Sequence, residues 1–161
     1  MVERRQVLLD LQPEPVFDAY TGIGGERGWL YMDWAWEIRG WMDKLVGGVG
    51  LRRGRRHPDE IRAGESLDFW RVEEIKPGRS ILLRAEMKTP GRAWLQFESV
   101  PQVDGKTLLK LGAYFAPKGV AGFLYWYSLF PIHKFIFDGM LRNLARRARQ
   151  LAESEQVAHA S

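Results

Sequence analysis

Residues 66–116 read SLDFWRVEEIKPGRSILLRAEMKTPGRAWLQFESVPQVDGKTLLKLGAYFA, a run of antiparallel strands broken by turn signals. Ser66 to Ile75 is a first strand, Lys76-Pro77-Gly78 a turn, and Arg79 to Lys88 its partner. Along that partner Ile81, Leu83, Ala85 and Met87 fall on one face, and Leu82, Arg84, Glu86 and Lys88 on the other. After a turn at Thr89-Pro90-Gly91, Ala93, Leu95 and Phe97 oppose Trp94, Gln96 and Glu98 across the pleat. Asp104-Gly105 signals a hairpin, beyond which Leu109, Leu111, Ala113 and Phe115 make another inner row. Strands with one apolar and one charged face form a sheet wetted on one side, so the other side must be covered. The cover is at hand: Gly119 to about Glu153 predicts a long helix. The fold class is therefore α+β, a curved antiparallel sheet wrapped around a long C-terminal helix.

That helix has two characters. Phe123-Leu-Tyr-Trp-Tyr-Ser-Leu-Phe130 is apolar almost all round, and Pro131 then predicts a kink or break. Beyond it Phe137, Met140, Leu141, Leu144, Ala148 and Leu151 form one stripe, with Arg on the opposite side. Residues 154–161 read as a disordered tail, leaving 1–153 as one domain.

Upstream, Arg5 to Leu9 suits a strand, and Pro13-Glu14-Pro15 opens a short helix to about Tyr20. A further helix is expected from Asp33 to about Val46, with Trp34, Ile38, Trp41, Met42 and Leu45 as its buried stripe. Arg52 to Gly64, polar and charged, reads as a loop across the mouth of the fold and a candidate lid.

Composition excludes several kinds of chemistry. There is no Cys, so there are no disulfides, thiolate ligands or thiol nucleophiles. The three His are scattered at positions 57, 133 and 159, a poor inventory for a metal site. The glycines of Gly22 to Gly28 follow a helix, which is not the strand-loop-helix setting of a dinucleotide site. A net charge of +4 concentrates at Arg52, Arg53, Arg55 and Arg56, and at Arg142, Arg146, Arg147 and Arg149, but the aromatics are not interleaved with it as nucleic-acid stacking requires. The N-terminus has too short an apolar core for a signal peptide, and Gly119 to Pro131 is too short to span a bilayer. No cofactor, nucleic acid or membrane partner is expected, and a cytoplasmic location is.

The order of elements resembles the START-like, or helix-grip (SRPBCC), superfamily. More narrowly, GGERGW (Gly24 to Trp29), LDFWRVEEI (Leu67 to Ile75) and PGRAW (Pro90 to Trp94) resemble an uncharacterised bacterial domain family often fused C-terminal to atypical short-chain dehydrogenases. The resemblance covers roughly residues 4 to 150. It implies a hydrophobic cavity between sheet and helix and a functional link to a short-chain dehydrogenase, and it implies no one reaction.

Ten residues are candidate ligand contacts. Leu83, Phe97 and Leu111 lie on the inner rows of the sheet. Trp29 follows the Gly-rich turn and would close one pocket end, while Trp36 points away from its helix's buried stripe, toward the pocket mouth or the surface. Trp70 and Arg71 are neighbours on a strand, so one faces inward. An inward Arg71 would anchor a carboxylate or enolate, and an outward one would pair with Glu86 or Glu98. Tyr127 and Phe130 belong to the aromatic helix, and His133, beside the proline, is the side chain best suited to proton transfer near neutral pH. No residue is named catalytic. The function expected is binding of a small hydrophobic, ring-bearing molecule by a carrier or sensor. The alternatives are a cyclase or isomerase in the same cavity, using Arg71, Glu73 or His133, and a membrane-surface or partner-docking protein using Phe123 to Phe130 with the Arg-rich helix face beyond.

Overall fold

A computed structural model describes residues 1–24 and 60–159, together with Glu37, Gly40, Trp41, Lys44, Leu45 and Gly47. Six strands and two helices follow in order: β1 (Val2–Leu9), α1 (Pro13–Thr21), β2 (Ser66–Leu67), β3 (Trp70–Lys76), β4 (Ser80–Ala85), β5 (Gly91–Pro101), β6 (Thr107–Pro117) and α2 (Gly119–His159). The strands make one curved, open antiparallel sheet in the order β1-β6-β5-β4-β3-β2. From β2 to β6 each strand pairs with the next in sequence, because tight turns join them. Pro77 and Gly78, the latter at φ 70, make one of these, closed by Arg79 N–H donating to the Lys76 carbonyl at 2.9 Å. Strand β1 instead crosses to β6, setting Val2 opposite Tyr114 and Leu9 opposite Thr107.

The alternation seen in the sequence holds. Ile81, Leu83, Leu95, Phe97, Leu109 and Leu111 are all at most 1% exposed, whereas their strand neighbours reach the outer face. Fully burying such side chains contributes roughly 1.5–3 kcal/mol each. Phe97 lies opposite Leu111 on one side and Ile81 on the other. Helix α1 seals one end: Tyr20 stacks on Phe97 with ring centroids 5.7 Å apart, and its hydroxyl meets Ser99 Oγ at 3.1 Å. Helix α2 lies along the inner face, with Ile136, Phe137, Met140, Leu144 and Ala148 in the core.

The structure departs from the sequence expectations at several elements. The strand expected over 66–75 is two strands, β2 and β3, because Asp68 takes a positive φ of 56 and folds Ser66 back onto Arg71. Strand β1 begins at Val2 rather than Arg5. Helix α2 is one element through Pro131 and on to His159, so residues 154–159 are helical rather than tail. Pro131 and Tyr127 are both exposed, so the carbonyl left without its N–H partner lies next to water. Of the helix expected over 33–46, the five residues Glu37, Gly40, Trp41, Lys44 and Leu45 are helical. Trp41 and Leu45 are 63% and 67% exposed instead of buried, and it is Gly40 that is buried. Trp34, Ile38, Met42 and most of the candidate lid lie outside the described residues.

Candidate functional site

Alternation along β1 puts Glu3, Arg5, Val7 and Leu9 on the inner face. Two apolar residues there are unremarkable, but a carboxylate and a guanidinium are not. Glu3 is 4% exposed, and burial pushes its carboxyl above the usual carboxylate range, although Arg5 pulls the other way. Arg5 Nη2 donates to Glu3 Oε1 at 2.6 Å, and Arg5 Nε to Asp138 Oδ1 of α2 at 2.8 Å. The guanidinium thus ties the edge strand to the helix. The second carboxylate oxygen of Glu3 is buried and accepts no hydrogen bond among the described residues.

What faces that oxygen is His133 of α2, its Nδ1 4.0 Å away and likewise buried without a hydrogen-bond partner. Rings surround the imidazole. Trp126, one heptad earlier, meets it edge-on at 5.6 Å, and Phe137, one turn later, lies at 5.2 Å. Trp126 in turn stacks on Phe115 of β6 at 5.7 Å. Burial in this setting lowers the His133 pKa to about 4, so the ring is neutral at pH 7. The Glu3 carboxylate attracts a proton to it and opposes that shift. The site is therefore an acid–base pair one small displacement short of a hydrogen bond, walled by aromatic rings.

The sequence-derived candidates divide into three groups. Trp70, Leu83, Phe97 and Leu111 are buried on the inner face of the sheet. Arg71 is on the outer face: its Nε donates to Glu86 and its Nη1 to the Gly64 carbonyl at 2.8 Å. Glu73 is outward as well, accepting from Trp94 Nε1 at 2.8 Å, beside a bulge that shifts the register between Val72 and Glu74. Tyr127 and Phe130 point away from the sheet, 66% and 46% exposed. Trp29 and Trp36 lie outside the described residues. Of the three groups proposed for acid–base work, only His133 is inside.

A separate recess of about 810 Å³ lies at the far end of α2, lined by Asp10, Gln12, Glu14, Asp104, Glu155 and His159 among others. Its lining is acidic and it is open to solvent. Among the described residues no group of three or more His, Asp or Glu is placed to hold a metal ion.

With this geometry in hand, one comparison carries the assignment. The family model described as "Protein of unknown function (DUF2867)" matches residues 1–140. The chain belongs to the DUF2867 family. No curated protein matches it. Among solved structures, this DUF2867 domain is similar to the Zhui aromatase/cyclase from Streptomyces sp. R1128, with a TM-score of 0.55 at 11% identity, covering 93% of this chain and 94% of that one. A protein from Nitrosospira multiformis gives 0.54 at 9% identity over 91% and 94%. One from Mesorhizobium loti gives 0.53 at 11% over 93% and 98%. At such identities the likeness is one of fold, the helix grip.

Sequence reasoning missed Glu3, Arg5 and Asp138 of the candidate site, although the signal for the first two was present. Extending the alternation of Val7 and Leu9 two steps back places both charges on the inner row. His133 likewise heads the stripe that continues at Phe137, Met140 and Leu144.

Proposed function

We propose that this DUF2867 domain binds a small apolar, ring-bearing molecule between the inner face of its sheet and helix α2, as a carrier or sensor. One observation supports this most. Phe115, Trp126, His133 and Phe137 form a continuous aromatic wall that ends on two buried polar atoms, Glu3 Oε2 and His133 Nδ1, with no hydrogen-bond partner. Buried polar atoms are ordinarily satisfied, and unsatisfied ones at a ring-lined surface suit a ligand's polar group. Trp70, Leu83, Phe97 and Leu111 supply the apolar floor in this reading. The experiment is to purify the protein gently, denature it and identify released small molecules by mass spectrometry. A stoichiometric apolar compound, lost in Glu3→Gln/His133→Gln, supports the reading, and an empty protein counts against it.

A second reading, a cyclase or isomerase in the same space, is favoured by the Glu3–His133 pair itself. A neutral imidazole accepts a proton, and a buried carboxyl with a raised pKa delivers or holds one. Deuterium exchange into an enolisable ring compound, abolished in His133→Gln, would distinguish an enzyme from a carrier. In either reading we propose a functional link to a short-chain dehydrogenase, whose apolar substrate or product would be the molecule held here. Co-purification of the two proteins tests the link.

A further inference from the structure

Helix α2 covers the sheet with one side only. From Gly122 through Trp126, His133 and Ile136 to Met140, that side is turned inward. The opposite side of the same turns is apolar too: Phe123, Leu124, Tyr127, Phe130, Ile132 and Phe135 are 46% to 68% exposed. A solvent-facing helix side is ordinarily polar, so a row of this length and aromatic content marks an interaction surface.

Charge says what it meets. Between Lys118 and Phe137 the chain has no Asp or Glu. Farther along, the exposed Arg142, Arg146 and Arg149 continue the same side. Arg142 stands five full turns after Leu124, and seven residues separate Phe135 from Arg142 and Arg142 from Arg149. Asp138, which shares this side, has its Oδ1 bonded by Arg5. An apolar, aromatic half followed by an arginine half along one helix side matches the two layers of a lipid interface, acyl chains beneath anionic headgroups. A second copy of the chain fits less well, because a parallel two-fold contact would set arginines against arginines and an antiparallel one would lay them on the apolar half. No helix among the described residues is long and apolar enough to cross a membrane, so the helix would dip its apolar half into one leaflet at a tilt, with the arginine half at the headgroups.

We infer that the outer side of α2 docks on an anionic lipid bilayer. Docked in this way, the inward side bearing Trp126, His133 and Phe137 sits about one helix diameter, ~10 Å, from the bilayer. An apolar molecule could then pass between lipid and sheet without crossing water.

The test is co-sedimentation of the full chain with vesicles of phosphatidylcholine, alone or mixed with phosphatidylglycerol. Wild type is expected to pellet with the anionic vesicles and to be released by salt. Leu124→Glu/Phe135→Glu and Arg142→Glu/Arg146→Glu should each weaken binding at least ~10-fold. All four side chains are exposed, so circular dichroism and Tm should be unchanged, showing that the loss is one of docking. No pelleting by wild type, or binding that both variants retain, overturns the inference. So does a wild-type dimer in sedimentation velocity that Leu124→Glu/Phe135→Glu renders monomeric, since a second copy would then cover this side.

Discussion

His133 Nδ1 and Glu3 Oε2 face each other across 4.0 Å between helix and edge strand, and neither has a hydrogen-bond partner among the described residues. Two titratable groups held this way make stability depend on pH, and the direction follows from their shifts.

For His133 the folded-state pKa is depressed to about 4 from 6.5. Above pH 6.5 the ring is neutral folded or unfolded, and its contribution is fully present. As pH falls from 6.5 to about 4, the unfolded chain takes up a proton that the folded one refuses, and stability declines by up to ~3 kcal/mol. Glu3, shifted upward, works in the opposite sense above 4.5, because the folded state accepts a proton first. Urea midpoints over this range should fall for wild type and fall less for His133→Gln. Identical profiles would mean that attraction to Glu3 cancels the cost of burial.

Arg5 should matter more than Glu3. Arg5→Met strands a buried carboxylate and also frees Asp138, at a cost of about 3–5 kcal/mol. Glu3→Met removes a charge that is costly to bury and leaves Arg5 bonded to Asp138, so it should cost under about 1 kcal/mol. In the double variant the loss should be far below the Arg5→Met value. Urea unfolding of the three proteins checks the order.

Gly122 sits where α2 meets the turn before β5. A Cβ added there would lie 2.4 Å from the Pro90 carbonyl oxygen and 2.7 Å from Pro117 Cβ. Alanine is the better helix former by ~1 kcal/mol, yet the clash is with backbone and a rigid ring, so Gly122→Ala should destabilise by a net ~1–2 kcal/mol. A raised Tm would show that the helix start shifts freely.

Arg71→Ala tests the outward placement of that side chain. Its pair with Glu86 is 39% exposed on the Arg side, so the loss should be at most ~1 kcal/mol, with any bound molecule retained. Phe97→Ala, at the same sheet but inside, should cost about 3–5 kcal/mol. Loss of a bound molecule in the stable Arg71→Ala protein would return Arg71 to the list of anchors.

The rows Ile81–Leu83, Leu95–Phe97 and Leu109–Leu111 were legible because one wet face enforces a period of two. The hairpin at Asp68 was not, since its signal is a single residue in a positive-φ conformation within an otherwise continuous apolar run. Helix α2 after Pro131 shows a one-sided stripe, and that stripe is buried. Before Pro131 the pattern is apolar nearly all round, and periodicity cannot say which side meets the sheet. Trp126 turned inward while Tyr127 and Phe130 turned outward. The buried pair escaped notice for a different reason: its members stand at opposite ends of the chain, and no local spacing joins position 3 to position 133.

The pairing of β1 with β6 sets a constraint on how the molecule is assembled. Strands β2 to β6 can zip together hairpin by hairpin, with short loops to close. Val2 and Tyr114, by contrast, must find each other across nearly the whole sheet-forming chain, and α2 can clamp Arg5 only afterwards. Loop closure of this kind is slow relative to local zipping. A ribosome must release β6 before β1 has anywhere to go. Until then the inner row of β1 and the open edge of β6 are the nascent protein's exposure to wrong partners.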